Sequence, residues 1–422
     1  MLKKLSTSLI IALAVTAVQL PMVSEASAAS AAEIAERKKN RPTNLVGPNI
    51  GKKIAKAFEL YSADDIDGSI VILNEIKAKK SYDIAYVNRF LGMMYASKGD
   101  HEKKSLEYLK KAAELDVLNW ADQAQTLKTV ADLEMSIREY KDAISHYYAW
   151  MEFTGEEDPN VWTKIANAHY SLKQLDKVIM PADKAIAGYG DKHNQNPFVL
   201  KVTSYYERKM YPEAVDVLET VIQIFPENKQ WWTQLGMFYL LVEDYSKALY
   251  TLDLAYKKGY LEKEAQIKTL ANLFQSNGVP HRAAKLLEKH MNSGLVTRDD
   301  KNLIALANAF HAAQEIDDAA KVYGEVAKMT NDAKHYRKQG MLLKQDEQFK
   351  TAIVALNKAL DLGVKDTGRV QMSIAESHFY LGQYKSAYKA IKLAMKDPKA
   401  RKSAKSWEGF IKDTANRKGV AI

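Results

Sequence analysis

The stretch Trp232–Tyr239 reads W-T-Q-L-G-M-F-Y, and Tyr245–Ala255, a few residues further on, reads Y-S-K-A-L-Y-T-L-D-L-A. In both stretches the apolar or small residues return at steps of three, four and seven, which is the spacing of one face of an α-helix. The polar pair Glu243-Asp244 lies between them. The sequence therefore predicts two amphipathic helices joined by a tight turn, with Asp244 as the N-cap of the second helix.

This two-helix pattern recurs along the chain. In most copies a small residue follows an aromatic or branched apolar residue by three positions, and successive small residues are 33 to 38 positions apart. The ten small residues (Val178 being the least conforming) are Ser69, Ser105, Ala143, Val178, Ala214, Ala248, Ala283, Ala319, Ala352 and Ala387. His101 stands four residues before Ser105, so the second copy looks stretched by one residue. A fixed period of this length predicts stacked helix pairs, each hiding its apolar face against its neighbours.

The repeat unit resembles the tetratricopeptide repeat (TPR), whose first helix carries W-x2-L-G-x2-Y and whose second helix carries alanines before a final proline. The resemblance covers about residues 50–397 and implies an all-α, right-handed α-solenoid of about ten helix pairs with a concave groove. The fifth copy departs from the pattern, with Lys201-Val202 in place of the Leu-Gly pair. A final amphipathic helix is predicted to cap the array, carrying Ala404, Trp407, Phe410 and Ile411.

The N-terminal residues predict export. Met1–Lys4 is a positive segment, Leu9–Val18 is an apolar segment, and Ala26-Ser27-Ala28 fits a cleavage site for a signal peptide. A membrane anchor is the alternative, but the apolar run is short for a span. We expect a signal peptide at 1–28, a basic segment at 29–49, the repeat array at 50–397, and a basic capping helix and tail at 398–422. The expected location is a bacterial periplasm.

The positive charge is concentrated near the ends of the chain. The formal net charge is +9, with seven basic and two acidic side chains in residues 29–56 and nine basic and three acidic in residues 392–422. The body lacks the clustered basic stripe that nucleic acid binding needs, so no nucleic acid partner is expected. The basic ends favour contact with an anionic membrane surface, with peptidoglycan or with an acidic partner. Solvated ends that only keep the protein in solution are an equal alternative.

The residue types that commonly form catalytic or metal sites show no catalytic pattern in this sequence. The chain has no cysteine, which excludes disulfides and thiolate metal sites. Gly47–Lys53 lacks the spacing and the hydroxyl residue of a phosphate-binding loop, and Asp64–Gly68 lacks the distant glutamate of a calcium loop. The nine histidines are scattered. We therefore predict no catalytic residue, no metal and no cofactor, and a chain that is not an enzyme.

Polar residues on three first helices resemble the carboxylate clamp of chaperone-binding TPR domains, which grips the terminal carboxylate of an extended peptide. The clamp-like residues are Lys268, Asn272, Asn302, Asn308, Lys334 and Lys338. Lysine and asparagine donors that converge on one anion suit such a role. Ala305 and Lys338 depart from the family, which has asparagine and arginine there. A solvated polar groove is the alternative interpretation.

A second set of candidate groove residues is aromatic: Tyr170, Tyr206, Phe379 and Tyr380. Aromatic side chains are favoured anchors at protein interfaces. Packing between neighbouring repeats would use the same residues and is the alternative.

A closer resemblance lies in Arg41–Lys53 and in Trp150–Glu157, which are similar to segments of exported TPR proteins associated with TonB-type energy transduction. This resemblance implies a non-catalytic periplasmic scaffold that serves siderophore or haem iron uptake, with TonB-complex components as partners. Two other roles stay open at this point, namely an envelope-assembly adaptor and a peptidoglycan-associated adaptor.

Overall fold

The structure is a computed structural model, and it describes residues 31–422. The predicted signal peptide, residues 1–28, lies outside the described residues. The described part of the chain contains 22 α-helices and two short 3-10 turns, and it contains no strand. The predicted all-α class is confirmed.

The helices are numbered in chain order. Their bounds are α1 Ala31–Asn40, α2 Pro48–Ser62, α3 Ile66–Asn74, α4 Ser81–Lys98, α5 Glu102–Glu114, α6 Trp120–Ser136, α7 Tyr140–Thr154, α8 Pro159–Ser171, α9 Ile179–Tyr189, α10 Gln195–Glu207, α11 Tyr211–Ile224, α12 Lys229–Leu241, α13 Tyr245–Lys257, α14 Glu264–Ser276, α15 Pro280–Asn292, α16 Asp300–Ala312, α17 Ile316–Thr330, α18 Ala333–Gln345, α19 Phe349–Asp361, α20 Thr367–Tyr380, α21 Tyr384–Ala394 and α22 Arg401–Arg417. The 3-10 turns, Leu175–Val178 and Gly190–Lys192, flank α9.

The chain forms two compact units, the first ending at Glu207 and the second beginning at Arg208. In the first unit α2 to α9 form four helix pairs, and α10 packs on α8 and α9. In the second unit α11 packs on α12, α12 to α21 form five helix pairs, and α22 packs on α21. The division falls within the fifth copy, the one with the atypical Lys201-Val202. The helix-pair repeat is thus confirmed within each unit, while the boundaries at 28, 49 and 397 stay predictions.

Each second helix of a pair begins where the sequence pattern places it. The ten small residues are all buried, and each lies three positions after the first residue of its helix or, at Val178, of the 3-10 turn before α9. In α13, for example, Tyr245 is the first residue and Ala248 is fully buried. The interpretation of the second copy as stretched is wrong, because α5 begins at Glu102 and His101 is its N-cap. Counted from Glu102, Ser105 stands at the regular position.

Small residues are needed where the two helices of a pair cross. A Cβ atom on Gly236 of α12 would lie 2.5 Å from the side chain of Leu252 on α13. A Cβ atom on Gly92 of α4 would meet Leu109 of α5 at the same distance. The first helix of a pair can therefore lie close to the second only because glycine has no side chain there.

The tight turn inside each copy has one recurrent conformation. The residue two positions before the second helix has a positive φ, between 51° and 74°, in all ten copies. In the clearest copy that residue is Glu243, and the next amide, Asp244 N, donates to Tyr239 O at 2.9 Å. This bond ends the first helix with a Schellman-type turn. The Asp244 side chain then accepts from Lys247 N at 2.9 Å, which confirms Asp244 as an N-cap.

The last helix, α22, covers the end of the second unit as predicted. Ala404 and Ile411 are fully buried, and Trp407 packs against the same cluster. Phe410 is half exposed, but its ring centre lies 5.0 Å from that of Phe379. Between residues 31 and 422, none of the helices has the length and apolar composition that a membrane span requires.

Candidate functional site

The clamp-like residues lie on α14, α16 and α18 in the second unit. Lys268 Nζ lies 3.5 Å from Oε1 of Glu264, one turn earlier on α14. Asn302, at the start of α16, is 2% exposed and donates from Nδ2 to Glu264 Oε1 and to Thr297 O, at 2.8 Å each. Two of the predicted donors therefore converge on one carboxylate, and that carboxylate belongs to the chain itself.

Glu264 is stabilised as an anion at this position. Thr297 donates to Glu264 Oε2 from its hydroxyl at 2.9 Å and from its backbone amide at 3.3 Å. The hydrogen bonds from Thr297 and Asn302 lower the pKa of Glu264 below its ordinary value. Because both Nδ2 hydrogens of Asn302 are donated within the protein, Asn302 ties α16 to α14 and to the loop before it.

Asn308 and Lys338 meet at a second place, around Tyr323 of α17. The Tyr323 hydroxyl donates to Asn308 Oδ1 at 2.7 Å, and Lys338 Nζ lies 5.9 Å from the centre of the Tyr323 ring. Burial, followed by the nearby charge of Lys338, lowers the pKa of His311 on the same side of α16. Asn308, His311, Tyr323 and Lys338 thus form a polar cluster, in which Lys338 supplies a positive charge.

The two remaining clamp-like residues point to solvent. Asn272 is exposed, one turn after Lys268 on α14. Lys334 is exposed as well, and its Nζ lies 3.2 Å from Asp332 at the start of the same helix. Exposed ion pairs of this kind contribute only about 0–1 kcal/mol, so a ligand carboxylate can compete for the lysine. The structure thus groups the six residues around Glu264, around Tyr323 and at the surface, and the clamp stays a prediction.

The candidate aromatic residues fall in both units. In the first unit Tyr170 donates its hydroxyl to Glu207 Oε1 at 2.5 Å, and Tyr206 is half exposed. In the second unit the Phe379 ring lies 5.8 Å from Trp407, within the packing beneath α22. Tyr380 is mostly exposed and stacks on Phe349 at 5.1 Å. Phe379 therefore serves repeat packing, while Tyr206 and Tyr380 present ring surface to solvent.

The sequence patterns do not predict a buried charge cluster in the first unit. Glu134 of α6 is fully buried, and its carboxylate lies 2.7 Å from Lys110 Nζ and 2.7 Å from His146 Nδ1. Carboxylate oxygens of Glu139 and Asp142 lie within 4.8 Å of it. Because both oxygens of Glu134 face nitrogen partners, the cluster is an internal ion-pair network between α5, α6 and α7. Four of its members lie within residues 134–146 and Lys110 lies on the preceding helix, but no sequence motif marks them.

An open cleft of about 1030 Å³ lies beside α1, in the part of the chain that the sequence marks only as basic. Arg37 and Arg41 are among the residues that line it. Trp120 and Phe153 line it too, with stacked rings whose centres lie 4.4 Å apart and whose planes differ by 27°. Asp116 adds a carboxylate. Glu33 and Glu36 line the cleft as well. The cleft therefore carries aromatic rings and charges of both signs, a combination that suits polar or peptide-like ligands better than purely apolar ones.

Comparison with protein-family models and with curated proteins finds no match. Among solved structures the chain is similar to one described as "MamA MSR-1 C2", with 21% identity and a TM-score of 0.32 over 40% of this chain and 95% of that one. It is also similar to one described as "Crystal structure of MamA", with 22% identity and a TM-score of 0.32 over 40% and 97%. Similarity of this size carries no information on what the chain binds. Within each unit the described helices form pairs that repeat in one register.

Proposed function

We propose that this chain is a non-catalytic scaffold that holds a partner protein or peptide against the first helices of its repeats. The observation that supports this proposal is the row of exposed side chains on successive first helices, such as Asn272 on α14, Asn308 on α16 and Lys334 on α18. A repeat array presents such rows as an extended surface, because each helix pair adds the same face beside the last. Extended peptides and helices are bound by surfaces of this kind.

We further propose that the protein acts in the periplasm as an accessory of TonB-dependent uptake of iron, siderophores or haem. The leader-like residues 1–28 support export, and the segments Arg41–Lys53 and Trp150–Glu157 support the link to TonB systems by resemblance. The basic segments near both ends suit contact with an anionic membrane surface or with peptidoglycan. The alternative is an envelope-assembly or peptidoglycan-associated adaptor.

Crosslinking in intact cells, followed by mass spectrometry of the captured proteins, tests the proposed role. We expect components of a TonB complex among the captured proteins, and slow growth on scarce iron when the protein is deleted. Normal growth on scarce iron without such capture would contradict the TonB role. Retention on purified peptidoglycan sacculi, or capture of unfolded porins, would favour the alternative.

The clamp prediction is tested with the double variant Lys268→Ala, Lys334→Ala. We expect it to weaken binding of a peptide with a free C-terminal carboxylate at least tenfold, about 1.4 kcal/mol, because two donors to that carboxylate are lost. The measurement is fluorescence anisotropy with a labelled peptide from the C-terminus of a captured partner, and with the same peptide amidated.

The matched control is Lys328→Ala, Lys358→Ala, which removes two exposed lysines from the second helices α17 and α19. Its affinity for the peptide should stay at the wild-type value. Both variants should keep the wild-type circular dichroism spectrum. Unchanged affinity in the first variant, or equal loss in the two, would rule out the clamp.

A further inference from the structure

A short segment after α1, residues 41–47, crosses the starts of α6 and α4. We call it the strap. The backbone of Asn44 in the strap is paired with the side chain of Asn119: Asn44 N donates to Asn119 Oδ1 at 2.8 Å, and Asn119 Nδ2 donates to Asn44 O at 3.2 Å. At the end of the strap Gly47 N donates to Asp83 Oδ1 at 3.0 Å. The strap is thus held by its main chain.

Asn119 has the position of a helix cap but serves the strap instead. It is the N-cap residue of α6, yet its side chain makes no bond to the amides of that helix. Asn228, the N-cap residue of α12, accepts from Gln230 N at 3.0 Å in the usual way. An N-cap bond of this kind stabilises the first turn of its helix. At Asn119 the capping bond is replaced by two hydrogen bonds to the backbone amide and carbonyl of Asn44.

Arg41, the first residue of the strap, fills a pocket in the repeat surface. Its Nε donates to Leu118 O at 2.7 Å, and its Nη2 lies 3.0 Å from Asp116 Oδ1. The guanidinium carbon lies 5.0 Å from the centre of the Phe153 ring. The Arg41 side chain is only 13% exposed. A carboxylate, a carbonyl and an aromatic face together make a specific receptor for a guanidinium group.

Helix α1 holds the strap from its other side. Arg37 Nη2 donates to Glu152 O at 2.9 Å. Ile34 packs so closely on Gly155 that a Cβ atom there would lie 2.8 Å from it. By contrast Leu45, the large apolar side chain inside the strap, is 89% exposed. The strap is therefore held by main-chain hydrogen bonds and one arginine, and its largest apolar side chain, Leu45, adds little burial.

This division of roles is that of a peptide-recognition site, in which main-chain bonds supply affinity and a side-chain pocket supplies specificity. We propose that Asp83, Asp116, Asn119 and Phe153 form a binding site for an extended peptide with an arginine three positions before the residue that pairs with Asn119. In the free chain the strap occupies this site. The site lies in the first unit, on residues other than the clamp-like ones, and does not depend on the proposed function.

The probe for this site is a fluorescently labelled synthetic peptide with the sequence of residues 37–48, added to the full chain. In the wild type the tethered strap competes at a high effective concentration, of the order of millimolar for a short linker. The variant Arg41→Ala weakens the strap and leaves the receptor residues intact. We expect the peptide to bind this variant at least tenfold more tightly than the wild type, as measured by anisotropy.

Two controls separate specific from adventitious binding. A peptide with alanine in place of the arginine that corresponds to Arg41 should bind neither protein measurably. Adding Asn119→Ala to the Arg41→Ala chain should abolish binding of the original peptide, whereas adding Asn228→Ala, which also removes a helix-capping asparagine, should not. Equal binding to the wild type and to Arg41→Ala, or no binding to either, would overturn the proposal.

Hydrogen exchange tests the occupied state directly. The Asn44 amide is bonded to Asn119, so its exchange should become at least tenfold faster in Asn119→Ala than in the wild type. The Asn228→Ala variant should leave it unchanged. An Asn44 amide that exchanges equally slowly in Asn119→Ala and in the wild type would show that the side chain does not hold the strap, and would overturn the proposal as well.

Discussion

Replacing Phe310 with alanine is expected to lower the free energy of unfolding of the second unit by about 3–5 kcal/mol. Phe310 lies on α16 and is 1% exposed, and Lys285 Nζ of α15 lies 4.9 Å from the centre of its ring. Removing the ring deletes buried apolar surface and leaves a cavity between two neighbouring helix pairs. Urea denaturation followed by circular dichroism measures the loss as a shift of the unfolding midpoint.

The matched control is Phe410→Ala on α22, where the same side chain is 49% exposed. We expect a cost of about 1 kcal/mol or less there, since surface substitutions rarely cost more. Equal costs at the two positions would contradict the packing described for α16. Because stability in a repeat protein is close to a sum of neighbour contacts, hydrogen exchange in the Phe310 variant should rise most in α15 to α17.

The start of each second helix could be predicted from the sequence because the information is local. A small residue three positions inside the helix marks the point of closest approach, and the structure places Ala248 and Ala319 there, fully buried. The second copy is the exception. Its spacing looks stretched when it is measured from the aromatic ring of His101, but His101 is the N-cap and α5 begins at Glu102.

The clamp residues show where helical periodicity stops being informative. Periodicity predicts which face of α16 carries Asn302. It does not predict that the Asn302 side chain bonds to Glu264 and to Thr297. Those contacts depend on the course of the loop before α16. A signal was nevertheless present, because Asn302 follows the N-cap Asp299 by three residues and so lies in the first turn of α16, near that loop.

The contacts of α1 and the strap could not be predicted from the sequence for a different reason. In the sequence Arg37 and Arg41 are only part of a basic segment. In the structure they donate to the carbonyl oxygens of Glu152 and Leu118, which are 115 and 77 residues away in sequence. Contacts over such separations leave no periodic trace in a single sequence. Positive charge near a terminus can therefore belong to internal structure as well as to an external partner.

The second large loss of stability is expected when the buried carboxylate of Glu134 is removed. Glu134→Ala leaves Lys110 and His146 without the partner that faces them, and breaking a buried ion pair from one side costs about 3–5 kcal/mol. Lys110 and His146 are each about 30% exposed, so we expect about 2–4 kcal/mol. Glu107→Ala, which removes an exposed partner of Lys111 on α5, should leave the urea midpoint close to the wild-type value, because water screens exposed ion pairs.

The same cluster predicts a pH dependence of stability. The hydrogen bond that His146 Nδ1 donates to the Glu134 carboxylate raises the pKa of His146 above its ordinary value. The charge of Glu134 and a bond to the Asp142 carbonyl raise it further. The folded state then binds a proton more tightly than the unfolded state, whose histidine has a pKa of about 6.5. The stabilisation is therefore complete below about pH 6.5 and is lost as the pH rises through the raised folded pKa.

Urea midpoints measured between about pH 5.5 and 8.5 should accordingly fall with rising pH in the wild type. Glu134→Gln, which keeps the shape of the side chain and removes its charge, should flatten that part of the profile. The His146 ring, followed by NMR, should titrate at a higher pH in the wild type than in Glu134→Gln. A His146 pKa at or below about 6.5 in the wild type would contradict the coupling, since the carboxylate would then give the imidazolium no advantage.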